Sequence, residues 1–260
     1  MMPFGLDADA WLVLAIFALV YTGMMLGGLP RLMLDRTGVA LLGAIAIIGL
    51  REMTPEEAAR AVHLPTMLLL FSFMVISAQM RLGGFYSAVT RRIAALRVGP
   101  MGLLATVIFV AGALSAVFSN DIVCLAVAPV LAEACLRRRL DPVPYLLALA
   151  CASNIGSAAT LIGNPQNMLI GEVLQLSFAG YARDALLPVV LGLLALWAVL
   201  AWPVHRGVLL VDPEANQLAA MTAEAPRFDA WQTFKGLFVA LGLVGVFLFT
   251  DWPRDVAALV

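Results

Sequence analysis

Ser153-Asn154-Ile155-Gly156-Ser157-Ala158-Ala159-Thr160-Leu161-Ile162-Gly163-Asn164-Pro165-Gln166-Asn167 lies in the middle of an apolar stretch from Pro144 to Phe178 that is too long for one straight helix. Gly156 and Gly163 permit close approach and unusual dihedrals, and Pro165 removes a donor and breaks a helix. Asn154, Ser157, Thr160, Asn164, Gln166 and Asn167 supply amide and hydroxyl groups where carbonyls would lose their partners. A bilayer cannot hydrogen-bond an unwound backbone, so such a break survives only where protein encloses it or a cavity needs it. The run predicts a broken transmembrane helix whose gap is a binding place, as in secondary transporters. A half-helix starting near Pro165 aims its positive dipole end at that gap, which favours an anion or a partial negative charge there. A purely structural kink with interhelical amide bonds is the alternative.

A second polar run, Ser119-Asn120-Asp121, separates two apolar arms, Gly99-Pro100 to Phe118 and Ile122 to Leu136. Arginines flank both outer ends, so 99–139 enters and leaves on one side. The second arm, about 15 residues or ~22 Å at 1.5 Å per residue, is short of the ~30 Å hydrocarbon core. A re-entrant hairpin is therefore expected in preference to two complete spans. Ser119 and Asn120, with Ser115 one helical turn earlier, place hard oxygen atoms together, which suits a small desolvated cation. Alternatively, the two serines bond back to their own helix. Asp121 is the sharpest single residue, because an ionisable group within a span marks an ion pathway or proton relay. If both arms were complete spans, it would instead be a loop aspartate at the water surface.

The rest of the chain agrees with a membrane setting. It is 62% apolar and 13% charged, with a mean hydropathy of +0.96, far from the soluble range. It offers roughly seven or eight crossings or re-entrant segments of the necessary length, leaving little for a soluble domain. Arg and Lys collect in cytoplasmic loops. Arg31, Arg36, Arg81, Arg91, Arg92, Arg97, Arg137 to Arg139, Arg206, Arg227 and Lys235 fall on one face, against Arg51, Arg60, Arg183 and Arg254 on the other. That bias predicts a multi-pass protein of the cell membrane with its amino terminus outside. Asp7 and Asp9 precede the first apolar run without a basic region, so no cleavable signal is read there.

Several residues call for no chemistry. Thr54-Pro55-Glu56-Glu57 carries a capping Thr, a Pro at the first helical position and a Glu three residues after the cap, which predicts a short surface helix to about Val62. Cys124, Cys135 and Cys151 lack metal-ligand spacing and read as buried inert thiols. Glu133 stands four residues before Arg137 and should pair with it. Glu172 could face either the cavity or the outer surface. His63 and His205 sit beside prolines at span ends, which interfacial placement explains.

In outline, residues 1–98 read as mainly scaffold helices, 99–139 as the hairpin, and 140–203 as the broken helix and its following span. Residues 204–233 read as a cytoplasmic linker and 234–260 as the start of a second repeat. The apolar run from Asp255 to Val260 looks like the opening of a further span, so the chain is expected to be part of a longer one.

Ser119-Asn120 followed by Pro129, together with Asn154-Ile155-Gly156 through Asn167, resembles the ion transporter superfamily of divalent-anion/sodium symporters, citrate transporter-like permeases, arsenite-efflux permeases and sodium/proton antiporters. The likeness is densest over about Pro65 to Ala179. It implies an all-α polytopic fold: the first inverted repeat of an elevator-type transporter, usually a homodimer, with a sodium ion between hairpin tip and broken helix and no other cofactor. By the same likeness, Ser115, Ser119, Asn120 and Gly163 would surround the cation. Asn120 and Asp121 would touch the solute, with Asn164, Pro165 and Thr160 nearby. Asp121 stands where dicarboxylate symporters carry a threonine, and an ionised aspartate there would repel a carboxylate. Inorganic or metalloid oxyanions, or cation/proton exchange with Asp121 as the proton-coupling group, are therefore favoured over citrate and succinate.

The expected partners are the bilayer and a small ion or anion; nucleic acid is not among them. An intramembrane enzyme is the rival class. It would need a nucleophile with a base or a metal with its ligands. No histidine lies within a span, and neither His-Glu-x-x-His nor Gly-x-Ser-x-Gly occurs.

Overall fold

Wherever the apolar runs are long and free of Gly-Pro punctuation, the chain is helical. A computed structural model describes residues 8–27, 34–50, 53–206, 228–250, 252 and 254–259. The expected cytoplasmic linker falls largely outside these residues, as do Asp251, Pro253 and Val260 at the carboxyl end.

The chain divides into two units, 1–63 and 64–260. In the first, α1 (Ala8–Met25) and α2 (Arg36–Gly49) form an antiparallel pair. Gly23 lies under Val39 and Gly43 under Val20, so each helix gives the other a small residue to pack on. Asp35 caps α2 by accepting from the Gly38 N–H at 2.7 Å. The short helix α3 (Pro55–Ala61) begins with the expected capping box between Thr54 and Glu57.

The second unit is built on α4 (Leu64–Leu82), α5 (Phe85–Ala95), α6 (Pro100–Val117), α7 (Asn120–Arg137), α8 (Pro142–Ser157), α9 (Pro165–Val173), α10 (Phe178–Arg206), α11 (Ala230–Phe249) and α12 (Arg254–Leu259). Of the described helices, α4, α6, α10 and α11 are long and apolar enough to cross a membrane, while α1 and α2 are apolar but shorter. Left-handed Gly84 (φ 71°) turns the chain from α4 into α5. That helix buries Tyr86, Thr90 and Ile93 and exposes Arg91 and Arg92.

The arrangement that matters for function is α6 beside α8. Tyr145 donates its hydroxyl to the Pro100 carbonyl at 3.2 Å, and Thr160, just past α8, donates to the Ala116 carbonyl at 2.5 Å. Between them Gly156 packs directly on the Gly112 backbone. The offset is 45 residues at the first contact and 44 at Thr160, so α6 and α8 run parallel and α7 returns between their ends. On the other side α10 runs antiparallel to α6, with Leu193 over Gly112 and Trp197 donating to the Met101 carbonyl. On α4, α11 packs antiparallel, with Phe73 against Phe247 and Gly236 against Met80.

Three expectations change. The second hairpin arm is longer than the ~22 Å expected: α7 starts at Asn120, has 18 residues as α6 does, and is about 27 Å long. Asn120 and Asp121 therefore form its first turn, and only Phe118 and Ser119 lie outside helix. Cys151 is exposed rather than buried, while Cys124 is half-buried and Cys135 buried. Glu172 faces neither a cavity nor the outside, because it forms a buried ion pair with Arg254 at 3.2 Å. Glu133 pairs with Arg137 at 2.6 Å, as its spacing suggests.

Candidate functional site

Parallel packing of α6 and α8 carries both polar runs to the same end of the two helices. There Asn120 Nδ2 donates to Asn154 Oδ1 at 2.8 Å, joining the first turn of α7 to the last turns of α8. Asn154 is held in turn by its own Nδ2, which donates back to the Ala150 carbonyl at 3.2 Å. Thr160 ties the unwound segment to the end of α6.

Side chains take up several of the backbone carbonyls freed at the break, 158–164. Asn167 Nδ2 donates to the Thr160 carbonyl at 3.0 Å and to that of Ser157 at 3.4 Å. The Tyr181 hydroxyl donates to the Ala158 carbonyl at 3.1 Å. Asn164 caps α9, its Oδ1 accepting from the Asn167 N–H at 2.8 Å while its Nδ2 donates to Ser157 Oγ at 3.0 Å. Ser157 Oγ donates to the Asn154 carbonyl at 2.9 Å. A continuous chain of hydrogen-bonded groups thus runs from Asn120 through Asn154 and Ser157 to Asn164. Gly163 folds back on the Ser157 backbone so closely that any side chain would strike it.

Two buried oxygen atoms beside this chain accept and donate nothing among the described residues: Ser115 Oγ and Asn120 Oδ1. Buried polar atoms are nearly always paired. Ser115 Oγ and Asn120 Oδ1 are hard oxygen atoms, the type of ligand that a small cation takes.

The remaining expected residues divide by role. Thr160 and Asn164 spend their side-chain groups on the frame of the break, and Pro165 opens α9 at its first helical position. Ser119 is buried at the junction of the arms. Asp121 is exposed in the first turn of α7 and makes no hydrogen bond or ion pair among the described residues. The reading of the sequence missed Asn154 as the partner of Asn120 and Ser157 as the hub of the break. Their polarity was visible, but their pairing depends on a register between α6 and α8 that no local pattern encodes.

An all-helical, polytopic membrane protein whose two polar runs are bonded to one another is the class that this geometry defines. A citrate transporter family model matches residues 12–260, and the chain belongs to that family. It is 36% identical over 152 residues to a silicon efflux transporter of Oryza sativa subsp. japonica, which covers 58% of this chain and 31% of the relative. It is 30% identical over 222 residues to a 46 kDa membrane protein of Mycobacterium leprae, covering 83% of this chain and 50% of that one. A third relative, a magnetosome protein of Paramagnetospirillum magneticum, is 33% identical over 165 residues, or 61% of this chain and 37% of the relative. The chain spans half or less of the length of these curated relatives.

Proposed function

We propose that the protein is a secondary active transporter that moves an inorganic or organic anion, or a metalloid oxyanion, coupled to sodium or protons. The observation that carries this reading is the Asn120–Asn154 hydrogen bond, with Thr160 on Ala116 beside it, because it makes one polar place out of two helix breaks. In the proposed cycle Ser115, Ser119, Asn120 and Gly163 hold the cation. Asn120 and Asp121 contact the solute at the amino-terminal ends of α7 and α9, with Asn164 and Pro165 nearby and the positive end of the α9 dipole facing it. The likeness to a silicon efflux transporter favours a metalloid oxyacid over a dicarboxylate. The polar chain forms one half of the site in an elevator-type homodimer whose second repeat supplies the other half.

The test is flux in proteoliposomes containing the full-length protein, with silicate, arsenite and citrate offered under imposed sodium or pH gradients. Gradient-dependent uptake of one of them is expected, together with at least a tenfold loss in Asn120→Ala, since removing that amide strands the Asn154 oxygen. Uptake that ignores both gradients would mean a channel.

Asp121 favours a second reading, a sodium/proton antiporter, because it sets an ionisable group next to Asn120 on an exposed helix turn. In that case proton efflux follows sodium without any anion, and Asp121→Asn abolishes its pH dependence. Unchanged pH dependence in Asp121→Asn would remove this carboxylate from the coupling step.

A further inference from the structure

At the opposite end of α7 from the polar break, about 25 Å away along the helix axis, lies a cavity of about 460 Å³ between α5 and α7. It is lined by Arg91, Arg137 and Arg138, one acid, Glu133, and a floor that includes Val130 and Ala134. Three guanidinium charges against one carboxylate leave it clearly positive. None of these arginines serves the transport reading above.

Their fixation differs. Arg138 donates to the carbonyls of Ala94 and Leu96 and sits over the carboxyl end of α5, so its charge is locked in place. Arg137 leans on Glu133 yet keeps 78% of its side chain exposed, and Arg91 projects from the exposed face of the amphipathic α5. The Arg91 fork thus stands open to a tetrahedral oxyanion, the geometry that arginine serves best, and the exposed Arg137, though bound to Glu133, lies beside it on the same cavity. Beside the cavity, and sharing Arg138 and Ala95 with it, runs a mainly apolar trough of about 380 Å³ walled by Leu96, Val98, Pro100 and Leu140, with Arg97 also on its wall. A charged basin next to an apolar trough matches a molecule with an anionic head and a hydrocarbon tail. The arginine bias assigns this end to the cytoplasmic side, where the leaflet is anionic and basic pockets between helices take phosphate headgroups.

We propose that this cavity binds the phosphate of an anionic phospholipid from the inner leaflet, with the headgroup on Arg91 and Arg137 and an acyl chain along the Leu96–Leu140 trough. The site is independent of what the protein carries.

Native mass spectrometry of the full-length protein, offered equal phosphatidylglycerol and phosphatidylcholine, tests it. Selective retention of phosphatidylglycerol is expected, weakened about fivefold by each of Arg91→Gln and Arg137→Gln and unchanged by Arg183→Gln, a distant exposed arginine. Glu133→Gln should tighten retention by freeing Arg137, a gain that a folding defect cannot mimic. Equal retention of the two lipids, or undiminished retention by the Arg91→Gln/Arg137→Gln double variant, overturns the proposal. Displacement of the lipid by millimolar inorganic phosphate would assign the cavity to a free anion and overturn the lipid assignment.

Discussion

Gly156 shows how a single residue sets the site. It packs on the Gly112 backbone, and a methyl group there would lie 2.2 Å from the Gly112 carbonyl oxygen, a direct overlap. Backbone cannot retreat as a flexible side chain can, so Gly156→Ala should push α8 off α6 and cost about 1–3 kcal/mol. It should also misalign Thr160 with Ala116. Thermal unfolding in detergent should show a lowered Tm, together with lost transport; a Tm equal to wild type would mean that the helices are not packed this tightly. The glycine's permissiveness was legible in the sequence, and so was the donor supply of Asn164 and Asn167. What they bond to was not. Asn120 meets Asn154 across 34 residues and Thr160 meets Ala116 across 44, and such long-range pairs follow from the helix register rather than from neighbouring residue types.

At the scale of elements, helix starts were the most readable feature, because capping is local chemistry. The Thr54–Glu57 box that opens α3 is present as its spacing requires: Glu57 Oε2 accepts from the Thr54 N–H at 2.8 Å and the Glu57 N–H donates to Thr54 Oγ1 at 3.2 Å. The Thr54 N–H and then the Thr54 hydroxyl, which donates to the same Oε2 at 2.9 Å, hold the Glu57 carboxyl below its ordinary value of 4.5. With the folded value depressed, the support it gives α3 is present above pH 4.5 and is lost as the pH falls through the folded value. Amide protection in α3 should therefore drop on acidification, and Glu57→Gln, which can still cap without titrating, should flatten that dependence. An identical acid loss in the variant would place the cause elsewhere. Less readable was the start of α7. Ser119-Asn120-Asp121 reads as a polar interruption, but asparagine and aspartate are also natural first-turn residues, and α7 absorbs two of the three. The hairpin therefore turns on only two residues.

Across the whole second unit, α4 gathers α5, α9, α11 and α12 around itself, and one buried ion pair ties the broken helix into that group. Glu172, at the end of α9, meets Arg254 at the start of α12, 82 residues later; Arg254 also donates to the Leu176 carbonyl. Glu172→Gln would leave a largely buried guanidinium without its counter-charge, at a cost of about 3–5 kcal/mol. The paired Glu172→Gln/Arg254→Gln variant should recover part of that loss in thermal unfolding; additive losses would deny the coupling. No spacing rule connects positions so far apart, so the sequence left Glu172 undecided. The parallel course of α6 and α8 also bears on biogenesis. Because 112–120 leave the ribosome before 154–164, the partners on α6 and α7 (Gly112, the Ala116 carbonyl and Asn120) are already in place when the later polar bend is synthesised. The membrane insertion machinery can then release that bend straight onto a waiting polar surface, without first holding it in hydrocarbon.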